Sequence, residues 1–499
     1  MLNLKVQSLT FSLKLVTRYS LLVTMLLFTV YCLLFTSVDA HAIEIKRQTL
    51  PNGLTVVHVE RHNLPIVMVT LLIEASPLNE PEEKAGLANL TARMLTGGTA
   101  KRNALEISEE IEFIGASLSA SAFSDFTTIS LSVLKKDVEK ALEIFSDVLL
   151  SPSFPEDELK RQKELIKGSI MRNEDDPSFV ASRAFIKEVF GDHPYGRLIT
   201  GSIETINAIS RDDVVSFYKE NYLPDRAILS VVGNITQEEL GFLIEKYLGQ
   251  WKTAGRARTP KSFGVRPSTH EVSDMGHKGS PKNRRFFGAE IIEKEVNKIR
   301  SSEDEKDKRI IVIDRDITQA NIILGHSGIS RDNPDFYAVF VMNYILGGGG
   351  FASRLMTTVR DEMGLTYSIH SSFGGRKEPG QFEVTVQTKN EFAGIAIKEI
   401  LNQMHKMRKE PVTDEELKDA KLFLTGSFPR RLETSRRIAD FLAVKEFYDL
   451  GDDYIKRYPE YINSVTKEDV LMAAQKYLDP ENYVLVIVGN KEKLDLPDF

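Results

Sequence analysis

Two apolar runs open the patterned part of the chain. LTVVHVE (Leu54 to Glu60) and IVMVTLLIEA (Ile66 to Ala75) read as strands. In KAGLANLTARMLTGGT (Lys84 to Thr99) the period changes: Leu87, Leu90 and Met94 recur at i, i+3 and i+7, which predicts a helix with one buried face that ends at Gly97-Gly98. A second helical segment near Leu105 to Ile114 precedes SLSASAF and TTISLSVL, which alternate as the arms of a hairpin. Val138 to Leu149 returns to helical period, and IIVID (Ile310 to Asp314) begins the same order again. The fold class expected is α+β, as two homologous α/β-sandwich domains, each a mixed or antiparallel sheet with helices packed on it.

Internal similarity supports the duplication. Leu159-Lys160, Lys163 and Gly168-Ser169 return as Leu417-Lys418, Lys421 and Gly426-Ser427, at a constant offset of 258. Ile206-Asn207 with Asp213-Val214 returns as Ile462-Asn463 with Asp469-Val470, and Val232-Gly233-Asn234 as Val488-Gly489-Asn490, both at offset 256. Matched blocks in one order argue for a duplicated unit. Residues 43–254 and 309–499 are expected to be the two domains. Between them, 255–308 is rich in Lys, Arg, Glu, Ser, Gly and Pro with both charge signs interspersed, which suits a solvated linker.

Composition adds a compartment. Lys5, Lys14 and Arg18 precede a mostly apolar run from Tyr19 to Val38, and Ala40-His41-Ala42 supplies small residues for a signal peptidase. Residues 1–42 therefore read as a signal peptide, cut after Ala42, and the mature chain as extracytoplasmic, periplasmic or secreted, with no membrane attachment. An uncleaved anchor is the alternative, because the run is 20 residues long. Cleavage removes Cys32, the one cysteine, and with it any disulfide or thiolate chemistry. A formal charge of −7 gives no reason to expect nucleic acid.

Candidate chemistry is mostly missing where the pattern invites it. Beside the apolar stripe of the Lys84–Thr99 helix stand Asn89, Ala92 and Arg93. Had they been His, Glu and His, two imidazoles at i and i+4 would face one zinc, with a general base beside them. His58 and His62 flank Glu60, but on a strand they stand about 13 Å apart and cannot share a metal without a bend. The other histidines of the mature chain are scattered. Gly347, Gly348, Gly349 and Gly350 follow a helical pattern from Phe336 to Leu346 and lack the Lys-Ser or Lys-Thr of a phosphate loop, so they read as a permissive turn that lets an extended substrate approach the backbone. Arg360 and Tyr367 bracket a helix end at Gly364; by themselves they read as a surface ion pair and a core-edge ring.

These stretches together resemble the pitrilysin and insulinase family of zinc peptidases, most closely its branch of half-length subunits that includes the mitochondrial processing peptidase. The resemblance runs through LPNGLTVV at Leu50, the Lys84–Thr99 helix, DDP at Asp175, HPYG at His193, both VVGN stretches and NYILGGGGFASRLMTTVRDEMGLTYS at Asn343. It implies paired subunits, each contributing half of a clam-shell chamber around an unfolded peptide. It also implies that the zinc-binding His-x-x-Glu-His falls on Asn89, Ala92 and Arg93, and a third ligand at or beside Gly168 or Ser169. An amide is a poor zinc ligand, a methyl accepts no proton, and a guanidinium stays charged. By the same resemblance, Arg360 holds substrate backbone and Tyr367 donates to an oxyanion.

The function expected is that of a non-catalytic subunit of a heterodimeric zinc metallopeptidase, with no metal or cofactor in this chain and zinc in a His-x-x-Glu-His sister subunit. Its partners would be that sister and a peptide or unfolded protein. The alternatives are a peptide-binding scaffold of the same fold, and an enzyme with a metal site built on His58 and His62.

Overall fold

A computed structural model of the chain describes residues 44–253 and 308–496. The expected signal peptide and its Cys32, and residues 255–307 of the expected linker, lie outside the described residues. The first half comprises β1 (Lys46–Thr49), β2 (Thr55–Glu60), β3 (Ile66–Ile73), α1 (Leu87–Met94), α2 (Ala104–Phe113), β4 (Ser117–Ala122), β5 (Thr127–Leu134), α3 (Val138–Leu150), α4 (Glu156–Glu174), α5 (Pro177–Phe190), α6 (Ile203–Ala208), α7 (Arg211–Asn221), β6 (Ala227–Gly233) and α8 (Gln237–Leu248). The second comprises β7 (Arg309–Asp314), β8 (Gln319–Ser327), α9 (Phe336–Asn343), β9 (Thr366–Gly375), β10 (Pro379–Lys389), α10 (Ala393–Lys409), α11 (Asp414–Ser427), α12 (Ser435–Phe447), α13 (Tyr454–Asn463), α14 (Lys467–Tyr477) and β11 (Val484–Gly489).

The strands form two mixed sheets, ordered β1-β2-β6-β3-β5-β4 and β7-β11-β8-β10-β9. Without β1 the first order maps strand for strand on the second: β2 runs parallel to β6 as β7 does to β11, and every other neighbour is antiparallel. The expected α+β duplication is what the chain folds into. Two of the repeated sequence blocks meet in one interaction. Lys163 on α4 donates to the Asn207 carbonyl (3.2 Å), and Lys421 on α11 donates to the Asn463 carbonyl (2.8 Å). The repeated Asp213 and Asp469 close capping boxes with Ser210 and Thr466 at the starts of α7 and α14.

One face of the first sheet is covered by helices of its own half, including α1, α2, α3, α7 and α8, through residues such as Leu90, Met94, Phe145 and Leu243. The other face is covered by a helix from the opposite half. α12 packs on β3 and β6 and buries Ile438, Ala439, Leu442 and Ala443. Reciprocally, α5 lays Val180, Ala181 and Phe185 on Ile323, Val484, Val486 and Val488 of the second sheet. Phe185 comes so close that a Cβ at Gly325 would stand 2.9 Å from its Cζ. α5 and α12 begin 258 residues apart, the offset of the repeat, so matching helices have been exchanged. Covered on both faces, β11 is wholly buried and reads as a continuous apolar run; β2 is nearly as buried although it carries His58 and ends at Glu60, whereas the outer strand β4 leaves Ser117, Ser119 and Ser121 exposed. Among the described residues no helix is long and apolar enough to cross a membrane.

Candidate functional site

The helix α1 is buried on nearly all sides, not only on its predicted stripe: of Leu87 to Met94, Arg93 alone is exposed. Its start is fixed by Glu80, whose carboxylate accepts the N–H groups of Gly86 (3.0 Å) and Ala88 (2.9 Å). Burial pushes the Glu80 carboxyl up to about 7. Asn89 is 8 % exposed, and its Nδ2 finds no hydrogen-bond partner among the described residues. Ala92 is fully buried, and Arg93 has no ion-pair partner among the described residues.

α1 packs against α4, which carries the half-buried Gly168 and Ser169. The carboxylates along α4 nearest in type to a ligand are already engaged: Glu158 by Arg161 (2.6 Å), Glu164 by Lys167 (2.6 Å) and Glu174 by Arg183 (2.9 Å). An amide, a methyl, a guanidinium, a glycine and a serine do not make a zinc site. Among the described residues no three His, Cys, Asp or Glu side chains converge as metal ligands.

The histidine pair is likewise not a ligand set. His58 is buried on β2 with Nδ1 2.8 Å from Gln237 Oε1 and Nε2 3.1 Å from the Ile235 carbonyl, and burial lowers its pKa. His62 lies beyond the strand end and contacts Asn234 Oδ1 at 2.7 Å. Each ring is held by its own neighbours.

The second half does gather its predicted residues. α9 does not stop before the glycines; it continues as a π-helical turn over Tyr344–Gly348, so Gly347 and Gly348 lie in helical backbone and only Gly350 needs a positive φ, 58°. The reading of all four glycines as a turn is corrected, and the close approach is internal. A Cβ on Gly347 would stand 2.5 Å from Ser371 Oγ and 2.7 Å from its backbone nitrogen, on β9. Asn343 and Ser371 join the same two elements through bonds of 3.2 and 2.7 Å. A second π-helical stretch, Met356–Glu362, carries Arg360, and Gly364 (φ 66°) turns the chain into β9, which carries Tyr367. Such wide turns recur at functional sites because they re-aim side chains.

The Arg360 guanidinium stands 4.9 Å from the Phe351 ring centre and 5.8 Å from that of Tyr367, with Nη1 2.6 Å from Asp361. Tyr367 is 87 % exposed and Phe351 71 %. Cation and rings thus form one exposed constellation. Arg354 anchors it by a forked pair to Glu416 on α11, 2.6 and 2.9 Å. Phe351 was not singled out in the sequence; an aromatic directly after four glycines was the signal available.

HPYG, a landmark without a role in the sequence, proves to be a joint between the halves. Asp125, in the β4–β5 turn, accepts the hydroxyls of Tyr195 and Tyr448 (2.7 Å for the latter) and the Lys377 N–H (3.0 Å). His193 Nε2 lies 2.6 Å from Glu378 Oε2, which holds that carboxyl below its usual range.

Comparison with known proteins agrees with this architecture. Residues 55–202 match the family described as Insulinase (Peptidase family M16), and residues 208–424 match the Peptidase M16 inactive domain. Relatives include uncharacterized zinc proteases of Streptomyces coelicolor (25 % identical, 90 % of each chain covered) and Mycobacterium leprae (26 % identical, 92 % of this chain and 95 % of the relative). A crystal structure of a peptidase M16 inactive domain from Pseudomonas fluorescens superposes with a TM-score of 0.74 at 26 % identity, over 90 % of this chain and 98 % of the other.

Proposed function

The chain belongs to the insulinase family of peptidases, family M16, and from that premise we propose that it is the non-catalytic subunit of an extracytoplasmic heterodimeric zinc peptidase. The observation that carries this reading is an asymmetry between its two halves. α1 and α4 offer no zinc-ligating or proton-accepting group at Asn89, Ala92, Arg93, Gly168 or Ser169, while Arg360 and Tyr367 stand together and exposed on the other half. In this reading a sister subunit with His-x-x-Glu-His brings the metal and the general base. Arg360 then binds the peptide main chain, Tyr367 donates its hydroxyl to the oxyanion, and the glycine segment beside Phe351 forms the chamber wall.

Removing one such oxyanion donor typically lowers turnover by 10²–10³, about 2.7–4 kcal/mol. The test is cleavage of an unstructured fluorogenic peptide by the purified chain alone, and by the chain mixed with a His-x-x-Glu-His sister. Silence alone, activity in the pair, and a loss of roughly a hundredfold in both Arg360→Ala and Tyr367→Phe pairs are expected. Activity of the chain alone refutes the proposal. An active pair indifferent to both substitutions would instead leave this chain as a peptide-binding scaffold.

A further inference from the structure

Where α11 ends and α12 begins, the surface opens into a pocket of about 600 Å³ lined by Ser427, Arg430, Arg431, Arg437, Asp440 and Phe441. Its carboxylates are already engaged: Asp440 accepts the Thr70 hydroxyl (2.7 Å), and Glu433 lies 3.3 Å from Arg437. Arg437 also donates to the Arg430 carbonyl at 2.9 Å. Arg430 and the adjacent Arg436 have no carboxylate partner among the described residues, and Arg431 only overlies the Phe428 and Tyr458 rings at 5.8 and 5.9 Å. Arg61 from the other half donates to the Glu433 carbonyl at 3.0 Å and brings a further guanidinium. Positive charge is therefore in excess here, on a chain that is negative overall.

The fold does not require most of these arginines: at the repeat offset of 258 Arg430 matches Arg172, but Arg431, Arg436 and Arg437 match Asn173, Ser178 and Phe179. The matching junction, between α4 and α5, carries Glu174-Asp175-Asp176, and its helix is capped by Asp176 on the Ser178 N–H (2.9 Å). At the second junction Thr434 does the same for Arg437 (3.2 Å). Capping is the shared structural need; the net positive charge of the junction is particular to the second half.

Position suggests what the charge meets. α11 is tied at its first turn, through Glu416, to the segment that bears Arg360. Midway, its exposed Phe423 packs on Tyr344 of the glycine segment, with ring centres 5.2 Å apart. At its end it reaches the arginine pocket. From Glu416 to Ser427 the helix rises roughly 16 Å, the length of about five extended residues.

We propose that this pocket binds acidic side chains of the peptide that passes Arg360 and Tyr367. The inference rests on the reading of the chain as a peptide-binding subunit, but its test needs neither partner nor cleavage. A fluorescein-labelled unstructured peptide with three consecutive Glu, and its Gln counterpart, are titrated with the full chain at low salt, with fluorescence anisotropy as readout. The Glu peptide is expected to bind about tenfold more tightly, with an advantage that shrinks as salt is added. Arg430→Gln/Arg431→Gln should abolish that preference, Arg430→Lys/Arg431→Lys should retain most of it, and Arg430→Glu/Arg431→Glu should favour a Lys peptide instead. Equal binding of the Glu and Gln peptides by the unmodified chain overturns the pocket assignment while leaving peptide binding intact. Absence of any peptide binding overturns both.

Discussion

Replacing Asp125 by Ala tests the joint between the halves most directly. The carboxylate is 5 % exposed and accepts three donors: two tyrosine hydroxyls and the Lys377 N–H. Hydrogen bonds to a charged acceptor contribute about 1.5–3 kcal/mol each, but Asp125 also gives up hydration on burial, and part of the network relaxes when it is removed. The expected net loss is about 3–5 kcal/mol, with Asp125→Asn losing roughly half as much. Guanidinium unfolding can be followed by Trp251 fluorescence, because Trp251 is the one tryptophan and lies buried in the first half with its N–H on the Tyr222 carbonyl at 3.2 Å. Far-UV circular dichroism reports both halves. The two signals should move together, since the exchange of α5 and α12 gives each half part of the other's core. A double-mutant cycle with Tyr448→Phe should show coupling of about 1–3 kcal/mol, because that hydroxyl reaches Asp125 from the end of α12. A loss under about 1 kcal/mol together with zero coupling would falsify the joint.

Three further substitutions probe local chemistry. Because burial raises the Glu80 carboxyl from 4.5 to about 7, the folded chain keeps a proton that the unfolded chain has released. Its contribution is complete below pH 4.5 and is lost as the pH rises to about 7, by at most roughly 3 kcal/mol. The difference in stability between the native chain and Glu80→Gln should therefore drift against the native chain across that window, and a flat difference would refute the assignment. Gly347→Ala sets a methyl against Ser371 and should cost about 1–3 kcal/mol in thermal unfolding, whereas Gly168→Ala, on α4 with its nearest neighbour the Arg172 side chain at 3.6 Å, should gain about 0.5–1 kcal/mol. Equal effects at the two glycines would show that close approach is not what Gly347 serves.

Much of the site was legible residue by residue. Asn89, Ala92 and Arg93 declare their chemistry wherever α1 lies, because ligand and base capacity belongs to the side chain. The strands and helices followed from apolar period, which records how many faces of an element are covered, and the duplication followed from blocks that each half needs for the same bond, as Lys163–Asn207 and Lys421–Asn463 show. The glycine run was misread because four glycines signal a turn in isolation; helical continuation through Gly347 is stabilised by contact with Ser371 of β9, 24 residues further on.

What period cannot say is which surface covers an apolar face. α5 and α12 present faces that would suit either sheet, and only the closed structure decides that each covers the opposite one. The same holds for Asp125, whose donors come from Tyr195, Lys377 and Tyr448, and for Arg360, whose position between Phe351 and Tyr367 depends on two π-helical turns. Burial and charge are written locally, in side chains and their spacing. Partnership is set by the global arrangement in which all the buried faces and polar groups are satisfied together, and that is a property of the tertiary fold.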